Sequence, residues 1–166
     1  MGLSSSKYSF SATGNSNYGW FGGGQTPTLE YSTVDRIDFS NDSATASVKG
    51  SLSLARDKLA STGNSNYGWF GGGFTSPTSS AVGRIDFTND LATALVRGPL
   101  SQARYRIAAS GNSNYGWFAG GYLSVSGNTN YTRVDRIDYA SDLSVGLART
   151  GLPVSGQSTT GVGNTN

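Results

Sequence analysis

The chain has 166 residues, room for one domain, and 13% of them are charged, about half the usual globular share of roughly 25%. It contains no His and no Cys, which excludes disulfide scaffolds, zinc fingers, iron–sulfur clusters, Cys nucleophiles and any catalysis through imidazole. Twelve Lys plus Arg against ten Asp plus Glu give a net charge of +2 with no basic cluster, so a nucleic-acid partner is not expected.

From Met1 to Gly14 the chain is Ser-rich and lacks the apolar core of a signal peptide. No run approaches the roughly 20 apolar residues of a membrane span, so membrane insertion is not expected. Gly2 and Ser6 fit the N-myristoylation pattern, which is too loose to carry lipidation. Leu3 to Thr13 reads as a first strand and runs into the segment GNSNYGWFGGG at Gly14. That segment returns at Gly63 and, with one change, at Gly111, steps of 49 and 48 residues. A second segment follows each copy: VDRIDFSNDSATASVKG from Val34, VGRIDFTNDLATALVRG from Val82 and VDRIDYASDLSVGLART from Val134.

Each repeat parses into four short strands. The first, such as Tyr105 to Ala109, ends at Gly-Asn-Ser-Asn, residues that tolerate the positive φ of tight turns. The second is Tyr-Gly-Trp-Phe, rich in aromatics that suit a packed, pleated surface. The third, from Val34, Val82 and Val134, ends at an Asp-bearing turn, Ser/Thr-Asn-Asp in the first two copies. The fourth lies in Ala-Thr-Ala-Ser-Val-Lys and its equivalents. Leu52 to Ser61 reads superficially as a helix, but the equivalent stretch carries Pro99 and Ile107, so a helix is rejected. Leu152 to Asn166 resembles another first strand with no aromatic strand after it.

A period near 48 residues without 3.6-residue periodicity points to propeller blades rather than a helical array. The expected fold is all-β: three four-stranded antiparallel meanders, at about 3–52, 53–100 and 101–151, with 152–166 as an extra first-strand-like segment. Closed propellers have 4–8 blades, and an open stack leaves strand edges that invite pairing. Two chains would supply six blades, so a head-to-tail homodimer is the favoured assembly, with a piece of a longer array as the alternative.

The order of a small-residue strand, an aromatic strand ending in Gly-Gly, a strand ending in an acidic turn, and Pro-Leu-Ser-x-Ala-Arg resembles the kelch repeat. The resemblance matches Gly22-Gly23, Gly72-Gly73 and Gly120-Gly121 to the kelch double glycine, and Arg56, Arg104 and Arg149 to the Arg between blades. The fourth-strand Trp of typical kelch blades is missing, with Ala46, Ala94 and Val145 or Gly146 nearby. The wording GNSNYGWFGGG with DRIDFSND also resembles repeat proteins of marine cyanophages, which implies a virion or tail-associated, extracellular setting.

Arg36 and Asp38, with Arg84/Asp86 and Arg136/Asp138, sit at i and i+2 on one strand face. Their recurrence, with that of Arg56 and Arg104, favours structural inter-blade ion pairs over a ligand ring. Asp42, Asp90 and Asp142 read as caps of their own turns, because one carboxylate per turn is too few for a metal. No catalytic set, metal or cofactor is expected, and the chain reads as a non-enzyme. The connections between second and third strands differ in length and carry Tyr31, Phe74, Tyr122 and Tyr131, aromatics suited to stacking on sugar. The expected function is a binding or adhesion module that recognises a glycan or partner through these loops. The alternative is a structural, self-assembling propeller segment with no ligand.

Overall fold

The computed structural model describes residues 2–41, 43–123 and 129–156. They form three four-stranded antiparallel sheets, each a meander in chain order, and no α-helix. Sheet 1 holds β1 (Ser11–Gly14), β2 (Tyr18–Gly22), β3 (Val34–Asp38) and β4 (Ser47–Lys49). Sheet 2 holds β5 (Ala60–Gly63), β6 (Tyr67–Gly71), β7 (Val82–Asp86) and β8 (Leu95–Arg97). Sheet 3 holds β9 (Ala108–Gly111), β10 (Tyr115–Ala119), β13 (Val134–Asp138) and β14 (Leu147–Arg149). A two-stranded ribbon, β11 (Tyr122–Leu123) with β12 (Thr129–Asn130), rises from the β10–β13 connection.

The turns follow from their side chains. Asn15 Oδ1 accepts from the amides of Asn17 and Tyr18, closing β1 onto β2, and Asn64 and Asn112 repeat the arrangement. After β3 and β7, Asp38 and Asp86 accept from the amide and hydroxyl of Ser40 and Thr88. Asp138 accepts from the Ala140 amide and caps a single 3₁₀ turn, Tyr139–Ser141.

The first strands are shorter than the sequence suggests. Ser9, Lys58 and Arg106 have φ of 58°, 52° and 54°, and this left-handed kink interrupts each strand. Before the kink, Tyr8, Asp57 and Tyr105 make isolated bridges to Gln25, Phe74 and Tyr122. At the kink itself the Lys58 amide donates to the Ser9 carbonyl and the Arg106 amide to the Lys58 carbonyl, so the three repeats are tied in series.

No single sheet encloses a core. One apolar cluster joins Trp20, Val34 and Leu52 to Phe70, Ile85 and Ala94, across sheets 1 and 2. The other joins Trp69, Val82 and Leu100 to Phe118, Ile137 and Tyr139, across sheets 2 and 3. The core is therefore the pair of joints between sheets packed face to face. Glycines set how closely those joints close. A Cβ on Gly98 would lie 1.9 Å from the Ser144 carbonyl oxygen, and one on Gly50 2.0 Å from that of Ala92. A Cβ on Gly71 would lie 2.7 Å from the Phe118 ring, and one on Gly22 2.9 Å from the Phe70 ring.

Backbone hydrogen bonds fix the register of the linkers. Gly24, Gly73 and Gly121 donate to the carbonyls of Arg56, Arg104 and Gly156, and Leu52, Leu100 and Leu152 donate to those of Ser32, Ser80 and Thr132. The equivalent of Arg56 and Arg104 at the end of sheet 3 is thus Gly156, and Arg149 instead occupies the place of Lys49 and Arg97. The matching glycine pairs are Gly23-Gly24, Gly72-Gly73 and Gly120-Gly121, all with positive φ. Of the segment 152–166, residues 152–156 follow the linker path without forming a strand, and 157–166 lie outside the described residues.

Candidate functional site

The joint between neighbouring sheets is built around one carboxylate. Asp90, in the hairpin after β7, reaches back to sheet 1, where its Oδ2 accepts from Trp20 Nε1 and Arg36 Nη1, each at 3.0 Å. Lys49 Nζ stands 3.4 Å from its Oδ1. Asp142 repeats this one sheet later: its Oδ2 accepts from Trp69 Nε1 at 2.9 Å and Arg84 Nη1 at 3.1 Å, with Arg97 Nε at 3.3 Å. An aromatic ring three residues before each acid lies flat on the same indole. Phe87 stacks on Trp20 at 3.9 Å and Tyr139 on Trp69 at 3.8 Å, with interplanar angles of 6° and 8°. Each Arg also lies over the first aromatic of its sheet's second strand, 4.3 Å from the rings of Tyr18 and Tyr67.

Asp38 and Asp86 therefore do not pair with Arg36 and Arg84. They cap their own turns, and the serine and threonine that donate to them hold their carboxyls below the usual range. The cross-sheet partners are Asp90 and Asp142, because face-to-face stacking brings the neighbour's hairpin onto the Arg side of the strand. Asp42, at the same sequence position in the first repeat, lies outside the described residues.

Sheet 3 presents the receiving half of this joint a third time. Arg136 lies 4.3 Å above the Tyr115 ring, as in the other sheets. Trp117 is half-buried where Trp20 and Trp69 are fully buried, and Arg149 is exposed. Among the described residues no carboxylate lies within ion-pair distance of Arg136 or Arg149, and no ring stacks on Trp117. A cavity of about 210 Å³ opens beside Arg136, its lining including Asp138, Ser141, Ser144, Val145 and Leu147. At the opposite end of the chain Phe39, the equivalent of Phe87 and Tyr139, is 52% exposed. Phe39, Lys49 and Arg97 have no role in the joint from sequence, whereas the recurrence of Trp20 and Trp69 at strand centres points to packing between blades. The signal was the constant pairing of an acid after the third strand with a base ending the fourth.

A second set of charges holds each linker to the sheet it enters. Arg56 Nη1 and Nη2 donate to the carbonyls of Ala81 and Phe70, at 2.5 and 2.9 Å. Arg104 donates to the carbonyls of Phe118, Gly120 and Arg133 and pairs with Asp135 at 2.7 Å. Lys7 takes the same place in the first repeat, on Thr33 and Asp35. Burial lowers the Arg56 guanidinium to about 10 and moves Arg104 in the same direction. The fold takes up the Nη groups of both arginines, while each Nε is buried without an acceptor.

The loop aromatics are partly spent on one another. Phe74 meets Tyr105 edge to face at 5.4 Å and Tyr105 meets Tyr122 at 5.2 Å. Lys58, paired with Asp57, lies 5.6 Å from the Phe74 ring. The Tyr131 hydroxyl accepts from Gln102, and Tyr31 is half-buried with its amide bonded to Gly24. Among the described residues there is no group of three or more acidic side chains placed for a metal, and no helix is long and apolar enough to cross a membrane. No protein-family model matches the chain, and no curated protein matches it.

Replacing Asp142 with Ala removes the acceptor shared by an indole and two guanidinium groups. The expected loss is about 3–5 kcal/mol in denaturant unfolding, because the donors stay largely buried and unpaired. Tyr139 gives a pH signature. Burial raises its hydroxyl to about 12, against an ordinary 10.0, and its partner is Thr62 Oγ1 at 2.9 Å. The folded chain thus keeps a proton that the unfolded chain releases, so this contribution is complete below pH 10 and is lost as pH rises to about 12. It amounts to about 3 kcal/mol at most. Tyr139→Phe, which copies Phe87, should flatten the fall of the thermal midpoint between these pH values.

Proposed function

We propose that the chain is a non-enzymatic, propeller-type assembly module that works by joining further blades face to face. The observation that carries this is the third copy of the joint, with Trp117, Arg136 and Arg149 arrayed as in two filled copies and no carboxylate from the described residues upon them. A surface holding two cations and an indole N–H beside an open ring face suits a carboxylate with a flat ring next to it. Phe39 at the other end offers the matching ring. Two chains joined head to tail would make six blades, within the range that closes. The wording of the repeats, similar to that of cyanophage proteins, supports a virion or extracellular setting for such an assembly.

Light scattering over a concentration series tests this reading. A mass approaching two chains, reverting to one in the Arg136→Ala/Arg149→Ala double variant, is the expected result. A monomer at every concentration would count against it.

Recognition of a glycan through the loop face would rest on Phe74 and Tyr122, both half-buried and each meeting the buried Tyr105 edge to face. A glycan array separates the two roles: binding that disappears in Tyr122→Ser would give the loops a ligand of their own.

A further inference from the structure

Resting on that reading of the third-sheet face, we infer that Thr150 and Ala119 act as steric spacers, holding the joint between chains weaker than the joints within one. The partner is a second copy of this chain, presenting its first-sheet hairpin with Phe39. The two positions that close an internal joint are glycines. Gly50 and Gly98 donate their amides to the carbonyls of Asp90 and Asp142, both at 2.8 Å, and a side chain at either would run into backbone at 2.0 or 1.9 Å. Gly22 and Gly71 receive the flat rings of Phe70 and Phe118. On sheet 3 these two places hold Thr150 and Ala119. Thr150 follows β14 as Gly50 and Gly98 follow β4 and β8, and it is exposed.

A backbone carbonyl cannot swing aside as the end of a long side chain can. A hairpin docked on sheet 3 must therefore stand off by more than about an ångström, a gap that forfeits about half or more of the dispersion attraction. The amide hydrogen bond of the internal joints is stretched out of range by the same displacement. Arg136 and Arg149 are long enough to follow a carboxylate that retreats with the hairpin, the one the sequence places at Asp42, three residues after Phe39 as Asp90 and Asp142 follow Phe87 and Tyr139. Phe39 still reaches the Trp117 face, with water and ions admitted around the contact. What remains is a joint carried mainly by charge, so it is screened by salt as the close-packed internal joints are not. Phe39 is the natural occupant because it is the exposed copy of the two rings that already cover Trp20 and Trp69.

The test compares self-association of the wild type, Thr150→Gly, Ala119→Gly/Thr150→Gly and Arg136→Ala/Arg149→Ala by sedimentation equilibrium at low and high salt. The glycine double variant is expected to associate at least tenfold more tightly, with a shallower salt dependence. Phe39→Ser in that background should abolish the gain. If the wild type associates and the arginine variant does not, but the glycine variants leave the affinity unchanged, the spacer inference falls and the assembly reading stands. Tightening that survives Phe39→Ser would overturn the assigned occupant. If no variant associates at any concentration, both fall. Circular dichroism on each variant confirms that the exposed substitutions leave the fold intact.

Discussion

A carboxylate handed from one sheet to the next is the interaction on which this molecule depends. Each sheet is only four short strands, too small to bury a core of its own. Stability must come from the faces between sheets, and Asp90 and Asp142 sit at the centre of those faces with an indole and two cations around them. Burying such a group is costly unless every partner is in place. That requirement turns a non-directional apolar contact into one with a single alignment. The stacked rings of Phe87 and Tyr139 then cover the indoles and keep water from the charges.

The buried linker cations show how much latitude the scheme has. Lys7 and Arg104 face Asp35 and Asp135, while Gly83 stands at the corresponding place in sheet 2. Arg56 is fully buried there, with carbonyl oxygens as acceptors. Its depressed pKa reflects that setting, since carbonyl dipoles compensate a lost hydration shell less fully than a carboxylate does. A guanidinium suits the role because its planar fork addresses two carbonyls at once.

Much of this was legible in the sequence. The repeat, the four strands in each copy and the Asn-bearing turns follow from the period and from residues that favour those conformations. The pairing of charges did not follow. Strand parity puts Arg36 beside Asp38, and nothing local reveals that Asp38 is occupied by Ser40 while Asp90 arrives from another repeat. The first strands are shorter than their sequences suggest because Ser9, Lys58 and Arg106 are ordinary residues in a left-handed conformation, held there by contacts between repeats. Arg149 was matched to Arg104 by residue type, whereas hydrogen-bond register gives that place to Gly156. For the charges and the strand lengths the missing information was the position of a neighbouring sheet, and for Arg149 it was the register of the linker.

Pro153 and Gly156 bear on how the chain avoids misfolding. Repeats this similar are prone to exchange partners, one linker settling into the path meant for another. The amides of Ser4 and Ser101 donate to the buried Asp35 and Asp135, while Pro153, at the same place in the last linker, has no N–H to give. Gly156 likewise offers no cation to a sheet that needs one. The final linker can leave sheet 3 as the others leave theirs, but it is a poor counterfeit of the segment that begins sheet 1 or sheet 3. Two small residue differences thus give nearly identical repeats distinct addresses, and the order of assembly is written where the copies disagree.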